Sequence, residues 1–468
     1  MSFNKKLIII AFVGTLLAIT WQEINSSYLN ETESLRFGMI QTADEASYLA
    51  PPKNFLSNGV WADNSDGITR FYQRSPGYGS IYLICKVLFG KYALLGLKVI
   101  QIIGYFLSIL LIGKIALKLL PTDKIALLTA LVAATLPMFS GFMYYTLTEG
   151  ITPLLTLWSI HSYINYDKNK KPFQLIVSTA ILILVRPQLV LLPLLFIIFH
   201  LLKKEWKQSL FITLAFLPFF LWQMRTYSIS SEFPGLHPIY SKENNTLYRP
   251  SHEVMTDLFR IWESDGAQFH SAIAAINNST ISIAMVNIPS EIQVKVKPVF
   301  IEYERLLNAE YSYSSAEYTA AEIKFITKTQ GIIKQLKKEN KYRNIIETPL
   351  KSAHYLLSKS QMNLFIFQEP WRGNFFIESL RIASVLLINL GFLAALWILL
   401  RFKLDRLTII AGFSILSLFY LIYIQRLNEE RYLTPLLPLL LICLLYVSCE
   451  IKELLQALFL SYNKRISS

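Results

Sequence analysis

Two acidic residues, Asp44 and Glu45, follow the first apolar segment of the chain, and Arg74 follows them in an Arg-Ser-Pro-Gly-Tyr segment that leads into further apolar sequence. A carboxylate beside a membrane costs free energy unless it is solvated or paired. A positioned carboxylate can also take a proton from a hydroxyl or an amine. The guanidinium fork of an arginine suits a phosphate. This order of acid, arginine and apolar sequence predicts chemistry on a lipid-linked phosphate at the bilayer surface.

The same residues also have a purely structural interpretation. Asp44 and Glu45 suit the first turn of a short helix, where negative charge favours the helix dipole. Arg74 suits an interfacial position from which its side chain reaches water. Pro76 and Gly77 predict a turn beside Arg74 whose backbone N–H groups are free to bind a phosphate, and Arg70 is a second cation nearby.

Three further charged positions border apolar runs. Glu149 stands where an apolar run begins, as a helix cap or as part of a polar cavity. Arg186 lies between two apolar runs and precedes Pro187, so it needs an anionic partner, either a carboxylate or a substrate phosphate. The short segment from Arg426 to Tyr432 is dense in charge, which indicates either a solvated loop or part of the same site.

Other kinds of site lack their sequence signals. The six histidines are scattered without metal-ligand spacing, and Cys85, Cys443 and Cys449 lie in or beside apolar segments. No glycine-rich loop of the Walker or dinucleotide type occurs. We therefore expect no metal, no disulfide and no cofactor.

Composition indicates an all-α polytopic membrane protein. Of the 468 residues, 53% are hydrophobic and only 16% are charged, and apolar runs of membrane-spanning length recur. The net charge of +13 comes without a basic, aromatic nucleic-acid signature, so we expect no nucleic-acid partner. The predicted spans number about ten: Leu7–Trp21, Ala93–Gly113, Ile125–Phe139, Thr148–Tyr166, Phe173–Val185, Leu189–Leu202, Leu210–Met224, Leu380–Leu400, Leu407–Ile424 and Leu433–Cys449.

Lysines predict the orientation of these spans. Lys5 and Lys6 precede the first span, which has no cleavage signal, so the N-terminus is expected in the cytoplasm. Alternating sides then makes every short cytoplasmic loop basic. The outer side receives the loop 22–78, the 140–147 turn, Arg186, the region 225–376 and the loop 425–432.

The chain is accordingly expected to have three parts. Residues 1–224 form a membrane module that includes the outer loop 22–78, residues 225–376 form a mainly helical outer domain, and residues 377–468 return to the membrane and end in a short cytoplasmic tail. Within the outer domain, helical spacing predicts a helix over Tyr318–Tyr342, and Phe233–Pro250 predicts a loop. The segments Tyr248–Glu253 and Trp262–Gly266 suit either acceptor recognition or a helical cap.

In their order along the chain, these motifs resemble the GT-C superfamily of membrane glycosyltransferases. The resemblance is to the branch with dolichyl-phosphate-mannose protein mannosyltransferases and the aminoarabinose transferase of lipid A. It rests on short motifs spread through the membrane part of the chain: Asp44-Glu45-x-x-Tyr48, Arg74-x-Pro-Gly-Tyr78, Leu88-Phe-Gly90, Thr148-Glu149, Arg186-Pro187 and Arg431-Tyr-x-x-Pro-x-x-Pro438.

The resemblance implies transfer of a monosaccharide from a polyprenyl-phosphate donor to an acceptor on the outer face, with inversion at the anomeric carbon. It implies that Asp44, beside Glu45, is the catalytic carboxylate. It places Arg74, Arg186 and Arg431, with Arg70, near the donor phosphate. We also expect Tyr48, Tyr78 and Glu149 to contact the substrate. The implied location is the cell inner (plasma) membrane with both termini cytoplasmic, and the implied partners are the donor, an acceptor and the bilayer.

Two other functions fit parts of the sequence. An O-antigen polymerase or ligase also uses a lipid-linked sugar, although its key arginines typically lie in a long late loop. A lipid or solute transporter would show inverted repeats and charges deep within spans. No internal repeat is visible, and the clearest charge within a span is Lys98.

Overall fold

The computed structural model describes most of the chain. The described residues are 1–29, 33–64, 71, 74–166, 172–230, 250–263, 272, 275–276, 281–286, 288–307, 316–358, 373–426 and 429–466. Across these ranges the regular structure is helical, and the β-structure is one isolated parallel bridge between Ile40 and Tyr145. The prediction of an all-α chain is confirmed for this part of the protein.

Nineteen α-helices follow one another in the described ranges. They are α1 (Phe3–Tyr28), α2 (Glu45–Asn58), α3 (Pro76–Phe89), α4 (Ala93–Leu119), α5 (Asp123–Thr135), α6 (Pro137–Ser140), α7 (Thr152–Asn165), α8 (Phe173–Val185), α9 (Leu191–Leu202), α10 (Trp206–Thr213), α11 (Leu217–Ser230), α12 (Pro250–Phe259), α13 (Ile281–Ala284), α14 (Ser290–Leu307), α15 (Ala316–Glu339), α16 (Thr348–Ser358), α17 (Phe375–Leu400), α18 (Arg406–Phe419) and α19 (Leu437–Ile466).

Five helical segments in the described part of the chain are long and apolar enough to cross a membrane. They are Phe3–Tyr28, Pro76–Leu119, Trp206–Ile229, Phe375–Leu400 and Arg406–Gln425. Several other predicted spans fall on shorter helices. In one case, the predicted span Ile125–Phe139, a proline explains the shorter helix. Pro137 disfavours helical backbone at Leu136, and α5 ends at Thr135. The helical membrane architecture agrees with the sequence. Five of the predicted spans fall on these segments, and another, Leu433–Cys449, falls mostly on the 30-residue helix α19.

Small residues let the membrane helices approach closely. A Cβ atom on Gly14 of α1 would lie 2.4 Å from the Cβ of Ala134 in α5, and one on Gly113 of α4 would lie 2.4 Å from Leu7. Gly391 of α17 makes a similar close contact with Leu440 of α19. Close backbone contact is a main source of helix association in lipid, so these glycines hold the bundle that carries the site.

Two sets of contacts dock the loop 22–78 onto the bundle. Lys98 of α4 pairs with Glu23 at 2.8 Å and donates to the carbonyl of Phe37 at 2.8 Å. The backbone N–H of Ile40 donates to Tyr144, and that of Thr146 donates back to Ile40. The loop is thereby fixed beside the 144–149 segment immediately before it reaches Asp44.

A second hydrophobic core lies between Val254 and Leu336 and joins helices α12 to α15. The predicted helix over Tyr318–Tyr342 is confirmed as α15, which ends at Glu339. Helix α16 instead buries Leu356 in the main core of the bundle. The predicted loop Phe233–Pro250 lies outside the described residues except for Pro250, the first residue of α12.

Candidate functional site

Asp44 lies between two arginines, one at each carboxylate oxygen. Arg74 Nη2 is 2.6 Å from Asp44 Oδ1, and Arg431 Nη1 is 3.1 Å from Asp44 Oδ2. The side chains are partly exposed, with 28% of Asp44 and 36% of Arg74 accessible. Asp44 and Arg74 lie 30 positions apart in the 22–78 segment, and Arg431 comes from the 425–432 segment. The structure therefore brings together three separated motifs at a partly exposed position.

The local geometry shows which partners the Asp44 side chain has. Asp44 occupies the N-cap position of α2, but its side chain makes no capping hydrogen bond. Its carboxylate is directed to the arginines instead. Ser47 donates to the Asp44 carbonyl at 2.7 Å and accepts from Arg74 Nε at 3.1 Å, while the Arg74 guanidinium lies 5.1 Å from the centre of the Tyr48 ring. The first turn of α2 thus holds Arg74 beside Asp44.

The Arg-x-Pro-Gly segment does not form the predicted phosphate-binding turn. Pro76 is the first residue of α3, and Gly77 belongs to the same helix. A Cβ atom on Gly77 would lie 2.4 Å from the carbonyl carbon of Leu184 and from the nitrogen of Val185. Ser75 also donates to the Leu184 carbonyl. The motif therefore packs the start of α3 against the end of α8, directly before Arg186.

Arg186 and Glu149 form a buried ion pair. Arg186 Nη1 lies 3.2 Å from Glu149 Oε1, and the two side chains are only 7% and 3% exposed. Thr148 donates a hydrogen bond to the other Glu149 oxygen at 3.0 Å. The anionic partner that the sequence requires for Arg186 is thus a carboxylate in this structure. The Arg186 Nη1 atom faces the Glu149 carboxylate without a well-aligned hydrogen bond.

Tyr432 connects the two halves of the site. The guanidinium carbon of Arg186 lies 5.0 Å from the centre of the Tyr432 ring, and that of Arg431 lies 5.2 Å from it. Arg431 also pairs with Glu429, with Nε 2.5 Å from the carboxylate. Burial raises the pKa of Tyr432, so its phenol is neutral. Sequence reasoning did not assign Tyr432 a role, although its place beside Arg431 in the last motif was the available signal.

Glu45 and Tyr78 support the site from outside it. Glu45 forms a bidentate pair with Arg36 at 2.7 and 3.2 Å and accepts a hydrogen bond from Thr146. Tyr78 is fully buried and donates to Gln101 at 2.9 Å. Neither contacts the arginines around Asp44. Arg70, the other predicted phosphate ligand, lies outside the described residues.

The 425–432 segment is also attached to the second core. Arg426 is buried and donates to the carbonyls of Arg260 and Asn344, the latter at 2.6 Å. Trp262 is only 7% exposed and packs within the second core, so it does not offer the sugar-stacking surface considered for this segment. The flanking Tyr248–Arg249 and Ser264–Gly266 lie outside the described residues.

The site is built from three guanidinium groups and three carboxylates. Its cations are Arg74, Arg186 and Arg431, and its anions are Asp44, Glu149 and Glu429. Searched over the described ranges, His, Cys, Asp and Glu side chains form no group of three or more that would hold a metal ion. A balanced set of this kind can bind an incoming anion by exchanging one carboxylate for it.

No protein-family model matches the chain, and no curated protein matches it. Among solved structures, the chain is similar to ArnT from Cupriavidus metallidurans bound to undecaprenyl phosphate, at 12% identity and a TM-score of 0.38, over 94% of this chain and 77% of that one. It is also similar to the apo oligosaccharyltransferase of Archaeoglobus fulgidus, at 11% identity and a TM-score of 0.42, over 97% of this chain and 52% of that one. The chain thus spans about half the length of the archaeal protein. Identities and TM-scores at this level assign the chain neither a family nor a role for any residue.

Proposed function

We propose that the protein is a membrane glycosyltransferase that moves a monosaccharide from a polyprenyl-phosphate donor to an acceptor on the extracytoplasmic face. The observation that carries this proposal is the Asp44 carboxylate held between Arg74 and Arg431 at a partly exposed site. A carboxylate and paired guanidinium groups are the two elements that sugar transfer from a lipid phosphate requires.

The proposed reaction is a single displacement at the anomeric carbon. The oxygen or nitrogen of the acceptor hydroxyl or amine bonds to the anomeric carbon, and Asp44 accepts the proton that this group loses. The bond from the anomeric carbon to the phosphate oxygen breaks, and the oxygen keeps the electron pair. Arg74 and Arg431 stabilise the negative charge that develops on the leaving phosphate. The product is inverted at the anomeric centre.

The resting contacts suggest how donor binding prepares Asp44. Both Asp44 oxygens accept hydrogen bonds from arginine N–H groups in the resting site. A donor phosphate competes for the same N–H groups. An Asp44 oxygen released from its arginine is then free to accept the proton of the acceptor while the sugar is in place.

The remaining predicted residues take supporting roles in this proposal. Arg186 extends the phosphate site, and Glu149 holds Arg186 in position. Tyr48 packs beneath Arg74. Glu45 anchors the start of α2 through Arg36 and so positions the neighbouring Asp44. The proposal retains the plasma membrane location with cytoplasmic termini, which follows from the lysine distribution.

The Asp44→Asn variant tests the proposal. Proteoliposomes are supplied with a labelled polyprenyl-phosphate monosaccharide and a detergent extract of cell envelope, and the label that leaves the lipid fraction for the envelope fraction is counted. We expect the variant to lose about 10²–10⁴-fold in rate, the usual contribution of a general base.

Asp405→Asn is the matched control. Asp405 caps α18 by accepting from the N–H of Thr408, and asparagine caps a helix equally well. Its transfer rate should equal that of the wild type. Undiminished transfer by the Asp44→Asn variant would remove Asp44 from the mechanism.

A further inference from the structure

Two guanidinium groups share the Tyr432 ring. Arg186 reaches it from the break between α8 and α9, and Arg431 reaches it from the neighbouring position in the last loop. Like charges repel, so each guanidinium group needs an attractive interaction that holds it in this position. Glu149 and Glu429 supply one carboxylate to each, and the ring supplies an attraction common to both.

We propose that Tyr432 is a positioning residue that holds Arg186 and Arg431 together as one anion site for the donor phosphate. This inference rests on the proposed glycosyltransferase function and names the residue that joins its two phosphate-binding halves. Without the ring, Arg186 keeps Glu149 and Arg431 keeps Asp44 and Glu429. The Glu149 carboxylate also attracts Arg431, but the Tyr432 ring is the side chain that lies within cation–π range of both guanidinium groups.

The ring rather than the hydroxyl of Tyr432 carries this role. The hydroxyl accepts a hydrogen bond from Arg431 Nη2 at 3.4 Å, which is near the limit for such a bond. Both guanidinium carbons lie within cation–π range of the ring. Phenylalanine preserves a ring at this position, whereas leucine removes it. The Phe and Leu variants therefore separate the two contributions.

The experiment measures binding of undecaprenyl phosphate to the full-length protein in nanodiscs and, in parallel, the KM for the sugar-bearing donor. We expect Tyr432→Phe to stay within about twofold of the wild type. We expect Tyr432→Leu to bind about tenfold more weakly, which is the combined effect of two modest cation–π contacts. The KM for the donor should rise by a similar factor, while the KM for the acceptor should not change.

Tyr446→Leu is the control for loss of an arginine-contacting ring. Tyr446 lies 5.3 Å from the Arg401 guanidinium, outside the site, and its variant should bind as the wild type does. Tyr432→Met provides a second ring-free variant should the leucine variant not fold, with the same expected loss. The Arg431→Gln background provides a second measurement. In it, Tyr432→Leu should weaken the binding of undecaprenyl phosphate by a smaller factor than in the wild type.

The outcomes separate the two proposals. If the wild type binds undecaprenyl phosphate and the ring-free variants bind it equally well, the role of Tyr432 is overturned and the glycosyltransferase proposal stands. If Tyr432→Phe is as weak as Tyr432→Leu, the hydroxyl and not the ring holds the site, which also overturns the inference. If the wild type binds neither undecaprenyl phosphate nor its sugar ester, the proposed function fails and the role of Tyr432 fails with it.

Discussion

Removing the carboxylate of Glu149 should destabilise the protein strongly. The Arg186 and Glu149 side chains are 7% and 3% exposed, so Glu149→Gln leaves a buried cation without its carboxylate. Breaking a buried pair in this way costs about 3–5 kcal/mol. The Tyr432 ring still faces Arg186 and compensates in part. We therefore expect a loss of about 3 kcal/mol in the free energy of unfolding.

Replacing both partners should cost much less than replacing one. In Glu149→Gln/Arg186→Met no charge remains to be stranded, and apolar replacement of a buried pair is often neutral. The double variant should recover most of the stability lost by Glu149→Gln. The double variant should nevertheless bind the donor more weakly than the wild type, because the proposed phosphate site then lacks Arg186.

The assay is equilibrium unfolding of the purified protein in mixed micelles, followed by tryptophan fluorescence. Glu450→Gln is the matched control, since Glu450 pairs with Arg401 at 2.7 Å in a more exposed position, where a pair contributes at most about 1 kcal/mol. A Glu149→Gln loss no larger than that of Glu450→Gln would refute the reasoning. The reasoning would also be refuted if the double variant lost as much free energy of unfolding as Glu149→Gln and Arg186→Met lose together.

Two further variants test how the site is held. Gly77→Ala should lower the free energy of unfolding by about 1–3 kcal/mol and weaken donor binding, because the added methyl group meets the backbone of Leu184 and Val185. Gly104→Ala is the control, because its methyl group would make an ordinary contact with Leu154 at 3.5 Å, and it should be as stable as the wild type. Equal stability of the two variants would contradict the packing argument. Arg426→Gln should lower the free energy of unfolding by about 2 kcal/mol in the same assay, because it removes charged donors from two carbonyls. It should also lower kcat, because Arg426 holds the segment that carries Arg431. An unchanged kcat would show that the second core does not position this segment.

The charged part of the site was largely predictable, since a charge beside apolar sequence must find a partner. That rule singled out Asp44, Arg74, Glu149 and Arg186, whereas Arg431 was added by the family resemblance. The structure joins the five residues into two linked clusters. The rule does not say which partner each charge finds. The pairing of Glu45 with Arg36 was missed because Arg36 lies in a polar stretch where an arginine has no need of a buried partner.

Packing was less predictable than charge. The sequence indicates that Gly77 is special, but a glycine serves equally well in a turn or in a close helix contact, and only the position of Leu184 decides between them. Tyr432 was missed for a similar reason, because its function depends on two cations from distant segments. Helix lengths were overestimated where an apolar run continued through a proline, as at Pro137.

The pairing of Asp44 with Arg431 spans 387 positions of the chain. Proteins are made from the N-terminus onwards, and during synthesis the loop 22–78 is present long before the 425–432 segment. A nascent chain that ends before Arg431 has its acid but lacks that second guanidinium. On the proposed mechanism, such a chain cannot turn over donor lipid, so activity begins only when synthesis is nearly complete.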